Sequence, residues 1–287
     1  MSEADHHERE RFFGAAKVVA GLTMLSRVLG LVRDMVIIPL GLPGLADRFW
    51  TAFSVPNLFR RLFGEGALSA SFVPVFTDVA EREGWDRARV VFANVAGVLA
   101  ATLAGLTLLI ELGLLVGWLA AGGDRPRALL FQYTAVMLPF MFTVCMLALG
   151  SAALQCRGRF AYPAFAPLIL NITLIVAAVW IAPKLASADE GRFFVIAAAV
   201  VAAGIIQLVG VVWLLRRAGL AAVPTIRPLV PEVRRMIAMM APMVLPLSVL
   251  QLSAFGDRLI ALVLSGPAGH AWLPMRQGVV RCLYAAP

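Results

Sequence analysis

Residues 17–38 read KVVAGLTMLSRVLGLVRDMVII, and this stretch decides what kind of molecule the chain is. At about 100° per residue, Thr23, Ser26, Arg27, Gly30, Arg33 and Asp34 fall within one sector of roughly 120°. The rest of the helix is apolar. A wide apolar face and a narrow polar stripe invert the pattern of a soluble helix, so the stripe must look inward. An Arg or Asp at mid-bilayer costs about 2.5–3.5 kcal/mol on the insertion scale, so three are tolerated only in a bundle interior or a wet cavity. A structural ion pair of Arg27 with Asp34 would lock two helices, but it leaves Arg33 without a role.

Composition agrees. The chain of 287 residues is 61% hydrophobic and 15% charged, with mean hydropathy +0.86. Soluble domains are about half apolar and about a quarter charged. No charged residue occurs in 128–156, 160–183, 193–215 or 236–256, and each block meets the rule that roughly 18 or more apolar residues span a bilayer core. Seven membrane helices are expected, at 14–39, 47–77, 88–120, 127–155, 162–182, 192–216 and 234–264. The fold class is therefore all-α and polytopic. A polar tail over 1–13 precedes the first helix. Its mixture of acids and bases does not make a signal-peptide n-region.

The net charge is +8. With the N-terminus in the cytoplasm, the inner linkers carry Arg82, Arg87, Arg89, Arg157, Arg159, Arg216 and Arg217, and the outer ones Arg125, Arg127, Lys184 and Arg192. The positive-inside rule then favours an N-in orientation. No basic face interleaves with aromatics on a soluble element, which excludes nucleic acid as a partner. Cys145, Cys156 and Cys282 have no metal-ligand spacing and read as small core hydrophobes, so no metal, cofactor or catalytic group is expected. Prolines 56, 74, 139, 163, 167, 242 and 246 lie inside the expected helices and kink them, either as static packing or as bending points of a transporter.

The second helix repeats the polar theme in SVPNLFRRLFGEGALSASF, residues 54–72. Ser54, Asn57, Arg61 and Glu65 share one side, with Arg61 and Glu65 spaced to pair. Arg60 is then the free cation. Two adjacent helices would turn Arg27, Arg33 and Arg60 toward one interior space. Forked guanidinium donors suit phosphate and carboxylate, which points to a cavity for an anionic, phosphorylated substrate. In the seventh helix Asp257 and Arg258 form a further candidate site. Asp257 is open to two roles, an arginine partner or the ligand of a coupling cation. Glu111 stands alone in the third helix and is read as a structural hydrogen-bonding group.

The strings LSRVLGLVRDMVI (25–37) and LADRFWTAFSVPNLFRRLFGEGALSASFVPVF (45–76) closely resemble the MurJ/MviN family of lipid II flippases. FAYPAFAPLILNITLI (160–175) and APMVLPLSVLQLSAFGDRLIALVLSG (241–266) are similar to it too, so the likeness covers roughly residues 15–266. The resemblance implies a fourteen-helix fold of two lobes plus two extra helices. It also implies alternating-access transfer of the undecaprenyl-pyrophosphate-linked peptidoglycan precursor across the bacterial cytoplasmic membrane. The family's cavity arginines fall on Arg27, Arg33 and Arg60, with Ser26, Asp34, Asp47 and Glu65 as matching motif positions.

The chain would then hold a six-helix lobe at 14–216, a cytoplasmic linker at 217–233, the first helix of the second lobe at 234–266, and a divergent end at 267–287. The second lobe is missing, and a truncated product or one fragment of a split gene is expected. Partners would be the lipid-linked anionic precursor, membrane lipids and that second lobe. Coupling would be to the membrane potential or a monovalent cation. The alternatives are a polysaccharide-repeat flippase or drug exporter of the same superfamily, a membrane enzyme acting on polyprenyl phosphates, or an inactive structural fragment. A cationic-drug exporter would call for acids, and an enzyme would need a catalytic cluster at the membrane face.

Overall fold

The computed structural model describes residues 3–40, 44–61, 67–226 and 230–264. Glu65 and residues 267–287 fall outside that set. So do the side chain of Arg258 and those of residues 3–16. Every regular element among the described residues is helical: α1 (Glu3–Ile37), α2 (Leu45–Phe59), α3 (Ala67–Arg82), α4 (Trp85–Ala120), α5 (Arg125–Met137), α6 (Pro139–Cys156), α7 (Ala161–Val176), α8 (Ala182–Leu185), α9 (Asp189–Arg217) and α10 (Pro231–Leu264). Among the described residues four stretches are long and apolar enough to cross a membrane by length and composition: Trp85–Ala120, Arg125–Cys156, Ala161–Leu185 and Asp189–Arg217.

Several boundaries differ from the sequence reading. Of the helix expected over 47–77, the described residues give α2, a wider π turn at Arg60 and Arg61, and α3, with residues 62–66 outside the described set. The helix expected over 127–155 breaks at Leu138, because Pro139 has no N–H to continue the ladder. Leu138 N–H instead reaches back only three residues, to Ala135 O at 3.2 Å. The segment expected over 162–182 passes through a π turn, Ala177–Ile181, before α8. The helix of α1 starts at Glu3, so the polar tail continues into it.

The core lies among α2, α3, α5, α6 and α9, where Phe49, Phe72, Phe76, Tyr133, Phe140 and Phe193 are almost fully buried. Edge and tilted contacts link Trp50, Phe49, Phe193, Tyr133 and Phe194 into one aromatic chain. Close approach of α6 and α9 requires Gly204: a Cβ there would lie 2.2 Å from Thr143 Oγ1. Outside, the far half of α4 presents Leu108 at 71%, Leu109 at 67% and Leu119 at 67% exposure. Such a surface has no place in water, at about 25 cal/mol per Å² of apolar area, and suits hydrocarbon.

The connections before α4 and after α6 and α9 are fastened by polar contacts. Arg157 lies over the Trp85 ring at 3.8 Å. Arg87 pairs with Glu83 at 3.4 Å and with Glu232 at 2.7 Å. Burial pushes the Glu232 carboxyl up, but its own backbone N–H and the Arg87 guanidinium outweigh this and hold it below the usual carboxylate range. The segment joining α9 to α10 is pinned to α4. Thr225 N–H donates to Ala93 O at 3.0 Å, Asn94 Nδ2 donates to Thr225 O at 3.2 Å, and Val230 N–H donates to Asn94 Oδ1 at 3.2 Å. α10 then packs chiefly on α3.

Gly97 makes that crossing feasible, since a Cβ would sit 2.3 Å from Thr225 O and 2.5 Å from its carbonyl carbon, both backbone atoms. Gly97→Ala should therefore lower stability by about 1–3 kcal/mol, the usual range for overpacking, and open the segment to protease. Gly105→Ala, with nothing within 4 Å, is the control and should be neutral or stabilising. Equal protease resistance of the two variants would refute the pinned crossing.

Candidate functional site

The polar stripe of α1 divides into two parts. Ser26, Gly30, Arg33 and Ile37, at spacings of four, three and four, form the side that packs on α7. Thr23 and Arg27 remain exposed, and Asp34 is half-exposed. Thr23 turns its hydroxyl back to Val19 O at 2.8 Å. Arg27 makes no ion pair with a described residue.

Arg33 has a different environment. Its side chain is 16% exposed. Nε and Nη2 donate to Asp34 Oδ1 at 2.9 and 2.7 Å, and Nη1 donates to Asn171 Oδ1 on α7 at 2.9 Å. The guanidinium lies over the Trp50 ring of α2, 4.9 Å from its centroid, a cation–π contact. The partner of Asp34 is thus Arg33 and not Arg27. A helical wheel places 27 and 34 two turns apart on one face, but adjacent side chains with long arms reach each other across the stripe.

On α2, Ser54 is buried and donates to the Thr51 carbonyl, and Asp47 is exposed in the first turn. Arg60, half-buried at the end of the helix, donates from Nε to Asn57 Oδ1 at 2.8 Å. It is not the free cation of the sequence reading. Arg61 is exposed, and its expected partner Glu65 lies outside the described residues. α1 packs chiefly on α7 and α2 on α5, and among the described residues Arg33 and Trp50 bring α1 and α2 into contact. Asp257 is exposed on α10. Glu111, read as hydrogen-bonded, makes no hydrogen bond to a described residue.

The node also contains residues that motif reading did not select. Asn171 is 5% exposed, and its Nδ2 donates to the Ser26 carbonyl at 3.0 Å. The signal was available as a lone amide in the apolar run LILNITLIV, where a polar side chain needs a partner on another helix. Gln207 follows the same rule, with Nε2 donating to Ala166 O on α7 at 2.6 Å, whereas Asn94 finds its partners in the α9–α10 segment.

Among the described residues there is one accessible guanidinium, Arg27, one held in a fixed plane with two N–H groups that meet no described acceptor, Arg33, and a third, Arg60, at the end of α2. Each guanidinium taken singly suits an oxyanion.

Comparison with known proteins gives a family. A family model described as lipid II flippase MurJ matches residues 39–274. The lipid II flippase MurJ of Burkholderia cenocepacia is 32% identical over 273 residues, covering 91% of this chain and 52% of that protein. A probable lipid II flippase MurJ of Rhizobium tropici is 34% identical over 250 residues, covering 85% and 47%. The chain thus spans about half the length of the curated relatives it matches. Among solved structures, a lipid II flippase MurJ in an inward closed conformation superposes with TM-score 0.66 at 20% identity, over 85% of this chain and 50% of that one. A MOP superfamily transporter from Pyrococcus furiosus superposes with TM-score 0.65 at 16% identity, over 94% and 60%. These two likenesses concern the fold alone.

Geometry separates the arginines by their dependence on the fold. Arg33→Ala removes a half-buried charged partner and should cost about 1–3 kcal/mol of stability. Arg27→Ala, exposed, should stay within about 0.5 kcal/mol of the parent. Thermal unfolding of the purified chain checks this, and equal losses would contradict the division of the stripe.

Proposed function

The chain belongs to the lipid II flippase MurJ family, and from that premise we propose that it forms the first lobe of a transporter for lipid II. The cargo is the undecaprenyl-pyrophosphate-linked peptidoglycan precursor, moved across the bacterial cytoplasmic membrane by alternating access. The observation that carries this reading is the polar stripe of α1. An exposed Arg27 stands beside an Arg33 kept inside an apolar bundle by Asp34, Asn171 and Trp50. A guanidinium inside lipid is costly enough that its presence asks for a use.

The pyrophosphate is recognised by Arg27, Arg33 and Arg60 through forked donors, with the Ser26 hydroxyl beside them. The sugar and peptide ride in the cavity, and the polyprenyl tail stays in lipid. No covalent bond is made or broken, so the work of the protein is to lower the cost of carrying a charged headgroup through hydrocarbon. Arginines disfavour a cationic cargo, which separates this reading from a cationic-drug exporter of similar fold. The N-terminus is cytoplasmic, on the distribution of arginine among the linkers. A second lobe closes the cavity, and the membrane potential or a monovalent cation at Asp257 resets the cycle.

The test is reconstitution of this chain with the separately encoded second half of the Burkholderia cenocepacia relative, scored by transfer of fluorescent lipid II between leaflets. The pair should transfer the lipid. Arg27→Ala and Arg60→Ala should each slow transfer by about tenfold or more, the scale of one lost charge-assisted contact, at unchanged protein level. Full-rate transfer by both variants would defeat the proposal.

A further inference from the structure

We infer that Asn171 is a positioning residue for Arg33, one that fixes the guanidinium without adding charge and so keeps it available to a phosphoryl oxygen. The inference rests on the anion-binding reading above and deepens it.

Four observations carry it. First, Arg33 sends both Nε and Nη2 to the same oxygen of its sequence neighbour Asp34, at 2.9 and 2.7 Å. The Asp34 side chain is 42% exposed, so that pair alone does not anchor the guanidinium to the rest of the bundle. Second, the hydrogen bond that ties it to another helix is Nη1 to Asn171 Oδ1, at 2.9 Å across 138 residues of sequence. Third, the amide has only one workable orientation. Its Nδ2 donates to the Ser26 carbonyl at 3.0 Å. Turning it over would face nitrogen to guanidinium and oxygen to carbonyl, two repulsive contacts. Fourth, Asn171 is 5% exposed, and the Trp50 ring lies 4.9 Å from the guanidinium carbon, so α1, α2 and α7 meet at this one group.

The choice of an amide has an electrostatic meaning. Arg33 with Asp34 is neutral as a pair, and asparagine leaves it neutral. An aspartate at 171 would keep the acceptor but make the node net negative, and it would place an oxygen against the Ser26 carbonyl. A leucine would keep the volume and lose both hydrogen bonds. These two substitutions therefore separate holding Arg33 from leaving it able to meet an anion.

The experiment uses the whole chain in lipid nanodiscs with phenylglyoxal as an arginine-specific probe. Modification of Arg33 and Arg27 is read by mass spectrometry, with and without geranylgeranyl diphosphate. Asn171→Leu should raise Arg33 modification by about tenfold or more, the factor expected for one lost hydrogen bond to a charged group, with Arg27 unchanged. Asn171→Asp should leave Arg33 protected, yet diphosphate should no longer shield Arg27 as it does in the parent. Parent-like Arg33 reactivity in Asn171→Leu overturns the positioning role. So does an Asn171→Asp variant whose Arg33 reacts like that of the leucine variant. The underlying anion reading fails separately, if diphosphate does not shield Arg27 in the parent, while the Arg33 rates still decide the role of Asn171.

Discussion

A guanidinium taken out of water must find acceptors within reach, and Arg33 is the point at which this chain meets that requirement. Its contacts to Asp34, Asn171 and Trp50 come from α1, α7 and α2. The main helical neighbour of α1 is α7, so the placement of the whole first helix leans on this joint. Everything proposed for the stripe depends on it, because the exposed side, with Thr23 and Arg27, is set by which side of α1 the joint buries. An apolar helix pair could have packed as tightly. It would not have set the rotation of α1 about its own axis, which a single buried amide bonded to both Ser26 and Arg33 does.

The same logic fixes the other seams. Gln207 and Tyr162 lock α9 to α7, with the Tyr162 hydroxyl donating to Gln207 O at 2.6 Å. Asn94 and Gly97 pin the α9–α10 segment to α4. On the opposite side, Arg125 pairs with Glu190 and joins the start of α5 to α9. Helix contacts in lipid gain little from hydrophobicity, since lipid tails are as apolar as leucine. Close approach at glycines and isolated amides therefore supply what the core of a soluble protein gets from burial.

Much of this was legible in the sequence. Charge-free blocks at 128–156, 160–183 and 193–215 gave three of the apolar helical stretches, and the wheel of residues 17–38 grouped the polar residues of α1, of which Thr23 and Arg27 prove exposed. What it could not give was the partner of each charge. A wheel describes one helix, whereas the acceptor for Arg33 sits 138 residues away on α7, and Arg60 is met by Asn57 one turn before it. Helix breaks were also missed. The run 128–155 carries no charge, so only Pro139 signalled the interruption at Leu138. The family strings located Arg27, Arg33 and Arg60 but carried no information on which of the three is solvent-facing. Lone amides, visible all along at 94, 171 and 207, were the under-used signal.

The account depends most on the chain crossing the membrane repeatedly with its arginine-rich linkers in the cytoplasm. Cysteines introduced singly as Asp86→Cys, Arg127→Cys and Ser187→Cys, in a background lacking Cys145, Cys156 and Cys282, report this directly. All three positions are exposed. An impermeant thiol reagent applied from outside should label positions 127 and 187 and leave 86 unlabelled until the membrane is opened. Labelling of position 86 from outside, or equal labelling of all three, would contradict the topology and the transport reading built on it.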